Sequence, residues 1–171
     1  MRRRFLSGIL ALTALSLMAQ SAFAADIATE IRSFSIPVTI SVTQTARQIH
    51  VTMPASMPVS VKDGSVFTAD NLRIENHSDS TRVRVVSIEV HSGAYEVVPY
   101  TRFPAGKGNR IALEINGCET KGPGTLALDN SAFPVLDAGD SQPIRYRAKV
   151  STSGNTDHVA AANVIFTLKA V

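Results

Sequence analysis

The chain has no tryptophan and one cysteine, and only 6% of its 171 residues are aromatic. With Cys118 alone, no internal disulfide can form, so an apolar core has to supply the stability. Cys118 reads either as a small buried apolar residue or as a thiol that reacts or bridges between molecules. With no Trp and only three Tyr (Tyr95, Tyr100, Tyr146), an aromatic platform for stacking sugars is unsupported. Beyond the first two dozen residues there is no apolar run of the roughly 20 residues that a spanning helix needs. Helical periodicity is almost missing there as well. An excess of one charge is also missing. The whole chain carries 17 Lys and Arg against 14 Asp and Glu, but Arg2, Arg3 and Arg4 account for the difference. Residues 25–171 are therefore balanced at 14 and 14. A nucleic-acid binder needs a basic face, and this balance gives no hint of one. Low net charge also weakens the self-repulsion that keeps copies apart.

What is present begins with a leader. Three arginines precede an apolar run from Phe5 to Met18, followed by a polar stretch and the small-x-small triplet Ala22-Phe23-Ala24. That order predicts a secretory signal peptide over 1–24, cut between Ala24 and Ala25. The competing reading is an uncleaved N-terminal anchor, for which the run is short. Residues 25–171 then form one domain of ordinary size, with no membrane span left. The protein is expected outside the cytoplasm, in the periplasm, on the cell surface or in the medium.

The remaining sequence alternates with period two, the mark of strands with one buried face. Phe34, Ile36, Val38, Ile40 and Val42 form the most regular run. Pro37 sits on its polar side and removes a ladder donor, which predicts an edge or partly paired strand. Ile49, Val51 and Met53 follow, then Met57, Val59 and Val61, closed by the hairpin signal Asp63-Gly64. Val66 and Leu72–Ile74 continue to a polar turn at 76–80. Arg82 to His91 changes parity between Val85 and Val86, which predicts a bulge. Tyr95–Val97, Ile111–Ile115, Leu126–Leu128, Ile144–Val150 and Val164–Leu168 complete about ten strands. The pattern predicts an all-β, antiparallel β-sandwich, jelly-roll or Ig-like.

Catalytic signatures do not appear. There is no zinc-protease helix motif, no nucleophile elbow, no P-loop and no dinucleotide turn. His50, His77, His91 and His158 are scattered without ligand spacing and read as solvated. Asp137 and Asp140 share a turn that is either hydrated or a weak calcium site. Arg82/Arg84 and Arg145/Arg147 each place two guanidiniums on one strand face. Such pairs suit an acidic glycan or a carboxylate, or form a solvated face that guards an edge. Asn76-His77-Ser78 matches the N-glycosylation triplet. No catalytic, cofactor or metal residues are assigned.

Several short segments also follow a recurrent pattern of bacterial exported proteins. They are Val51-Thr52-Met53-Pro54, Val59-Ser60-Val61-Lys62-Asp63-Gly64, Ile74-Glu75-Asn76, the valine-rich strand Val83 to Val90, Ile115-Asn116-Gly117 and Ala161-Ala162-Asn163-Val164-Ile165-Phe166-Thr167. In these the chain resembles the camelysin/TasA-like group of β-sandwich surface or fibre proteins. The resemblance implies a jelly-roll domain and, in some members, biofilm or pilus-like fibres. Protease activity described for some members has no residues here to carry it, and no obvious anchoring signal is found.

The expected function is a non-enzymatic exported structural protein, a cell-surface or fibre subunit that associates with itself or with another surface subunit. Residues 25–43 are a candidate donor strand, with Phe34, Ile36, Val38, Ile40 and Val42 as its interface. The same strand packed within its own domain is the simpler alternative. A monomeric ligand-binding, adhesin-like module is the second functional expectation.

Overall fold

The computed structural model describes residues 32–43, 49–153 and 158–171. The expected leader, with Ala24 and Ala25, lies outside them. The described residues form fourteen strands and no helix. The first seven are β1 (Arg32–Phe34), β2 (Val38–Thr43), β3 (Val51–Thr52), β4 (Val59–Lys62), β5 (Ser65–Thr68), β6 (Arg73–Asn76) and β7 (Val83–Ser92). The rest are β8 (Glu96–Val97), β9 (Arg110–Ile115), β10 (Cys118–Glu119), β11 (Gly124–Thr125), β12 (Ser141–Pro143), β13 (Tyr146–Ser151) and β14 (Ala162–Ala170). They make four sheets, β1-β4-β5, β12-β6-β3, β11-β7-β14-β2, and β10-β9-β13 with β8 also on β9. Side chains from all four sheets meet in one apolar core, among them Phe34, Met57, Ile74, Ile88, Ile115, Ile144 and Phe166.

The expectation of antiparallel sheets needs one correction, because β2 runs parallel to β14 and β8 parallel to β9. A parallel pair needs a long connection. For β2 and β14 that connection is nearly the whole domain, since the N-terminal strand lies along the C-terminal one.

Turn chemistry sets the local structure. Asp63 and Gly64 have φ of 51° and 75°. These positive values close the two-residue hairpin that pairs Lys62 with Ser65. Asn116 and Gly117, at 45° and 84°, do the same between β9 and β10. The bulge in β7 falls where the parity change places it. Thr167 pairs with Ser87 and Leu168 with Val85, so Val86 is the extra residue. Val83, Val85, Ile88 and Val90 all reach the core, while Val86 is exposed. The short strand expected at Leu126–Leu128 lies just before it, at β11, and Leu126 follows as a buried residue. The strand expected over Ile49–Met53 shortens to the two residues of β3.

The most regular run of the sequence is not one strand. It divides at Ser35–Pro37 and serves two sheets. β1 pairs with β4, and β2 pairs with β14. Between them the chain is bonded on both sides. Ser35 N–H donates to Val159 O at 3.2 Å, and Ala161 N–H donates to Ser35 O at 3.1 Å. On the other side Ile36 and Met57 exchange two backbone bonds, and Val38 N–H donates to Ala55 O. Pro37 turns its carbonyl to Val164 N–H and has no N–H of its own to give.

Candidate functional site: an open strand edge and an arginine-lined cleft

Bonds between Val38 N–H and Ala55 O, and between Val164 N–H and Pro37 O, fix which way each β2 residue faces. Odd-numbered residues turn their backbone groups to β14. By alternation, Ile40 and Val42 turn theirs to the opposite side. Among the described residues no strand pairs with that side, because β2 ends its sheet.

The five apolar residues of the candidate donor segment are therefore divided. Phe34 is 3% exposed and Ile36 is fully buried, both in the core of their own domain. Phe34 also packs on the Tyr95 ring, with centroids 5.2 Å apart. Val38 is half-buried against the core. Ile40 pairs with Phe166 and so shares its face. Phe166 is fully buried while Ile40 is 42% exposed, so the core does not close over this end of β2. Val42 continues the backbone ladder opposite Leu168.

The second feature is a cleft of about 600 Å³ beside the start of β13. Glu114, Asn116, Ser131, Gln142, Arg145 and Arg147 bring polar groups to it, and Ala132, Pro134, Pro143 and Tyr146 contribute apolar surface. Asn116 organises its floor. The turn that gives Asn116 its positive φ leaves the side chain free to bind three neighbours. Its Oδ1 accepts Arg145 N–H at 2.7 Å, and its Nδ2 donates to Ala132 O at 3.1 Å and to Pro143 O at 3.3 Å.

The two arginines differ. Arg147 sits opposite Glu114 in the β13–β9 ladder and meets it with two bonds, Nε to Oε1 at 3.2 Å and Nη2 to Oε2 at 2.6 Å. That paired carboxylate holds the Arg147 guanidinium above its ordinary pKa, mainly through the side-chain hydrogen bond. Arg145 is exposed, and its guanidinium has no hydrogen-bond or ion-pair partner among the described residues. Gln142 is 9% exposed. Its Nε2 donates to Ala132 O at 2.7 Å, and its Oε1 is buried with no partner.

The remaining sequence candidates fall elsewhere. Arg84 bonds Asn130 Oδ1, and Arg82 lies exposed just before β7. His50 and His77 lie close, with ring centroids 5.5 Å apart, and His77 is 3.3 Å from Glu75. No three His, Cys, Asp or Glu among the described residues are grouped to hold a metal. Asp137 and Asp140 bond to each other within their turn, Asp137 N–H donating to Asp140 Oδ2 at 3.3 Å. Cys118 is a buried free thiol. Asn76, the glycosylation-triplet residue, is 1% exposed and committed to the fold. No helix among the described residues is long and apolar enough to cross a membrane.

Sequence reasoning named Arg145 and Arg147 as a pair and missed Gln142, Ser131 and Glu114 as their companions. The Asn116-Gly117 dipeptide was the one local signal for the cleft floor. Gln142 carries no signal, since Ser141-Gln142-Pro143 reads as a polar connection. Comparison with protein-family models gives no match for the chain, and comparison with curated proteins gives none either.

Proposed function

We propose that this protein is an exported, non-enzymatic subunit of a cell-surface or fibre-like assembly, built as a β-sandwich and associating with a second copy through the free edge of β2. The leader pattern at 1–24 supports export. The balanced charge of residues 25–171 supports close approach of like copies. One observation carries the reading: beyond Val38, no strand among the described residues pairs with the outer side of β2, and Ile40 is exposed beside it. Sheet edges are normally blunted by a charge, a proline or a bulge. The β2 sequence Val-Thr-Ile-Ser-Val-Thr contains neither charge nor proline, and its ladder with β14 runs without a register shift. An added strand on this side gains main-chain bonds and covers Ile40.

Two routes lead to such an assembly. Donation of the whole segment requires Phe34 and Ile36 to leave the core and two ladders to open. Edge pairing requires neither, and the geometry favours it. Sizing and electron microscopy of the purified protein test the reading, with Ile40→Lys as the comparison. Concentration-dependent oligomers or filaments are expected for the parent, and their loss, with an unchanged circular-dichroism spectrum, for Ile40→Lys. A parent that stays monodisperse and monomeric at high concentration removes the self-assembly proposal.

A further inference from the structure

The cleft beside β13 has the chemistry of a ligand site, and it lies apart from the β2 edge. Its walls hold one cation that is already neutralised and one that is not. Arg147 spends its guanidinium fork on Glu114 in two bonds. Arg145, two residues earlier and just before β13, spends its side chain on nothing among the described residues. Its backbone, by contrast, is fixed. Arg145 N–H donates to Asn116 Oδ1, and Asn116 N–H donates to Arg145 O at 2.8 Å. An unspent guanidinium on an anchored backbone, at the mouth of a cleft of about 600 Å³, suits two-point recognition of a carboxylate.

A second observation narrows the ligand. Gln142 lines the same cleft and is nine-tenths buried. Its amide cannot turn over without losing the 2.7 Å bond from Nε2 to Ala132 O. Its Oε1 is therefore held as an acceptor with no donor. Buried acceptors are nearly always satisfied in folded proteins, so an unsatisfied one in a cleft wall asks for a donor. The ligand that complements both residues carries a carboxylate for Arg145 and hydroxyl donors for Gln142. Ser131 adds a hydroxyl of its own to the lining, and Pro134 and Pro143 add rigid apolar surface. The volume is ample for a sugar ring.

We infer that this cleft binds a carboxylated saccharide, with Arg145 on the carboxylate and Gln142 Oε1 accepting from a ring hydroxyl. Recognition rests on charge and hydrogen bonds rather than on aromatic stacking, in keeping with a chain that has no tryptophan.

Titration calorimetry of the purified protein with three probes tests this. The probes are a galacturonate trisaccharide, a neutral galactose trisaccharide, and a glutamate tripeptide that has carboxylates but no hydroxyls. Binding on the order of 1 mM or tighter is expected for the galacturonate trisaccharide alone. Arg145→Ala should weaken it at least about tenfold, and Arg145→Lys should recover only part of the loss because the fork is gone. Gln142→Met, which keeps the volume and removes the acceptor, should weaken binding about fivefold in a protein that still melts cooperatively. Lack of binding by the galacturonate probe overturns the inference. So does equal binding of the neutral trisaccharide or of the glutamate tripeptide, or binding unchanged in Arg145→Ala.

Discussion

Asn76 shows how much one polar side chain can hold. Its Nδ2 lies 2.8 Å from Thr81 O, 3.0 Å from Asp137 O and 3.2 Å from Leu136 O, while its Oδ1 accepts Ser78 N–H. The loop that follows β6 and the distant segment at Leu136 and Asp137 are thus both tied to its end. Removing the amide strands several buried carbonyls, so Asn76→Ala should cost about 2–4 kcal/mol in denaturant unfolding. Tyr146 plays a similar part between layers. Its hydroxyl donates to Pro58 O and accepts Ala69 N–H at 3.1 Å. Burial raises its pKa above the ordinary 10.0, and the Ala69 bond opposes this only in part. The unfolded chain therefore loses this proton first as pH rises. Stability linked to Tyr146 is whole below about pH 10 and is lost as pH climbs through the raised folded value. Tyr146→Phe should lower stability at neutral pH and flatten its decline above pH 10, measured by urea unfolding at a series of pH values.

At the scale of elements, β2 carries the open edge and β7 the bulge. The bulge at Val86 lets both halves of β7 face one core, because the extra residue restores the parity. Gly93, just past β7, is required by a close approach. A Cβ there would lie 2.5 Å from Ala160 O, a backbone atom that cannot move aside. In β2 the two sides of the strand have different roles, and proline distinguishes them. Ser41 N–H faces β14, so Ser41→Pro removes a ladder bond and should lower stability by about 2–3 kcal/mol. Ile40 N–H faces the open edge. Ile40→Pro should leave the ladder to β14 intact, cost less in thermal unfolding, and abolish association. Equal destabilisation by the two prolines would show that the outer side of β2 is not free.

For the whole molecule, the N-terminal segment works as a clasp between sheets. Residues 33–38 are bonded to the 55–58 segment on one side and to the C-terminal segment on the other. Phe34 and Ile36 add burial worth about 1.5–3 kcal/mol each. Together with the lost ladders this is comparable to the 5–15 kcal/mol by which a domain is stable. A chain lacking residues 25–43 should therefore fail to give a cooperative melt by circular dichroism. If the shortened chain stays folded, the segment is replaceable, and strand donation regains its place over edge pairing.

The sequence by itself determined the all-β character, most strand positions, the hairpin at Asp63-Gly64 and the bulge beside Val85, because period-two alternation and turn residues act over a few neighbours. It also marked Pro37 as the place where one ladder would be incomplete. It did not reveal that the run from Phe34 to Val42 serves two sheets, or that its end lies parallel to β14, since both pairings are non-local and the second joins opposite ends of the domain. It paired Arg145 with Arg147 but could not tell them apart. Only folding brought Glu114 beside one and left the other open, and only folding buried Gln142 in the lining of the same cleft. Alternation records which face of a strand is apolar. Which neighbour covers that face, and which charge goes unanswered, is decided by the tertiary packing.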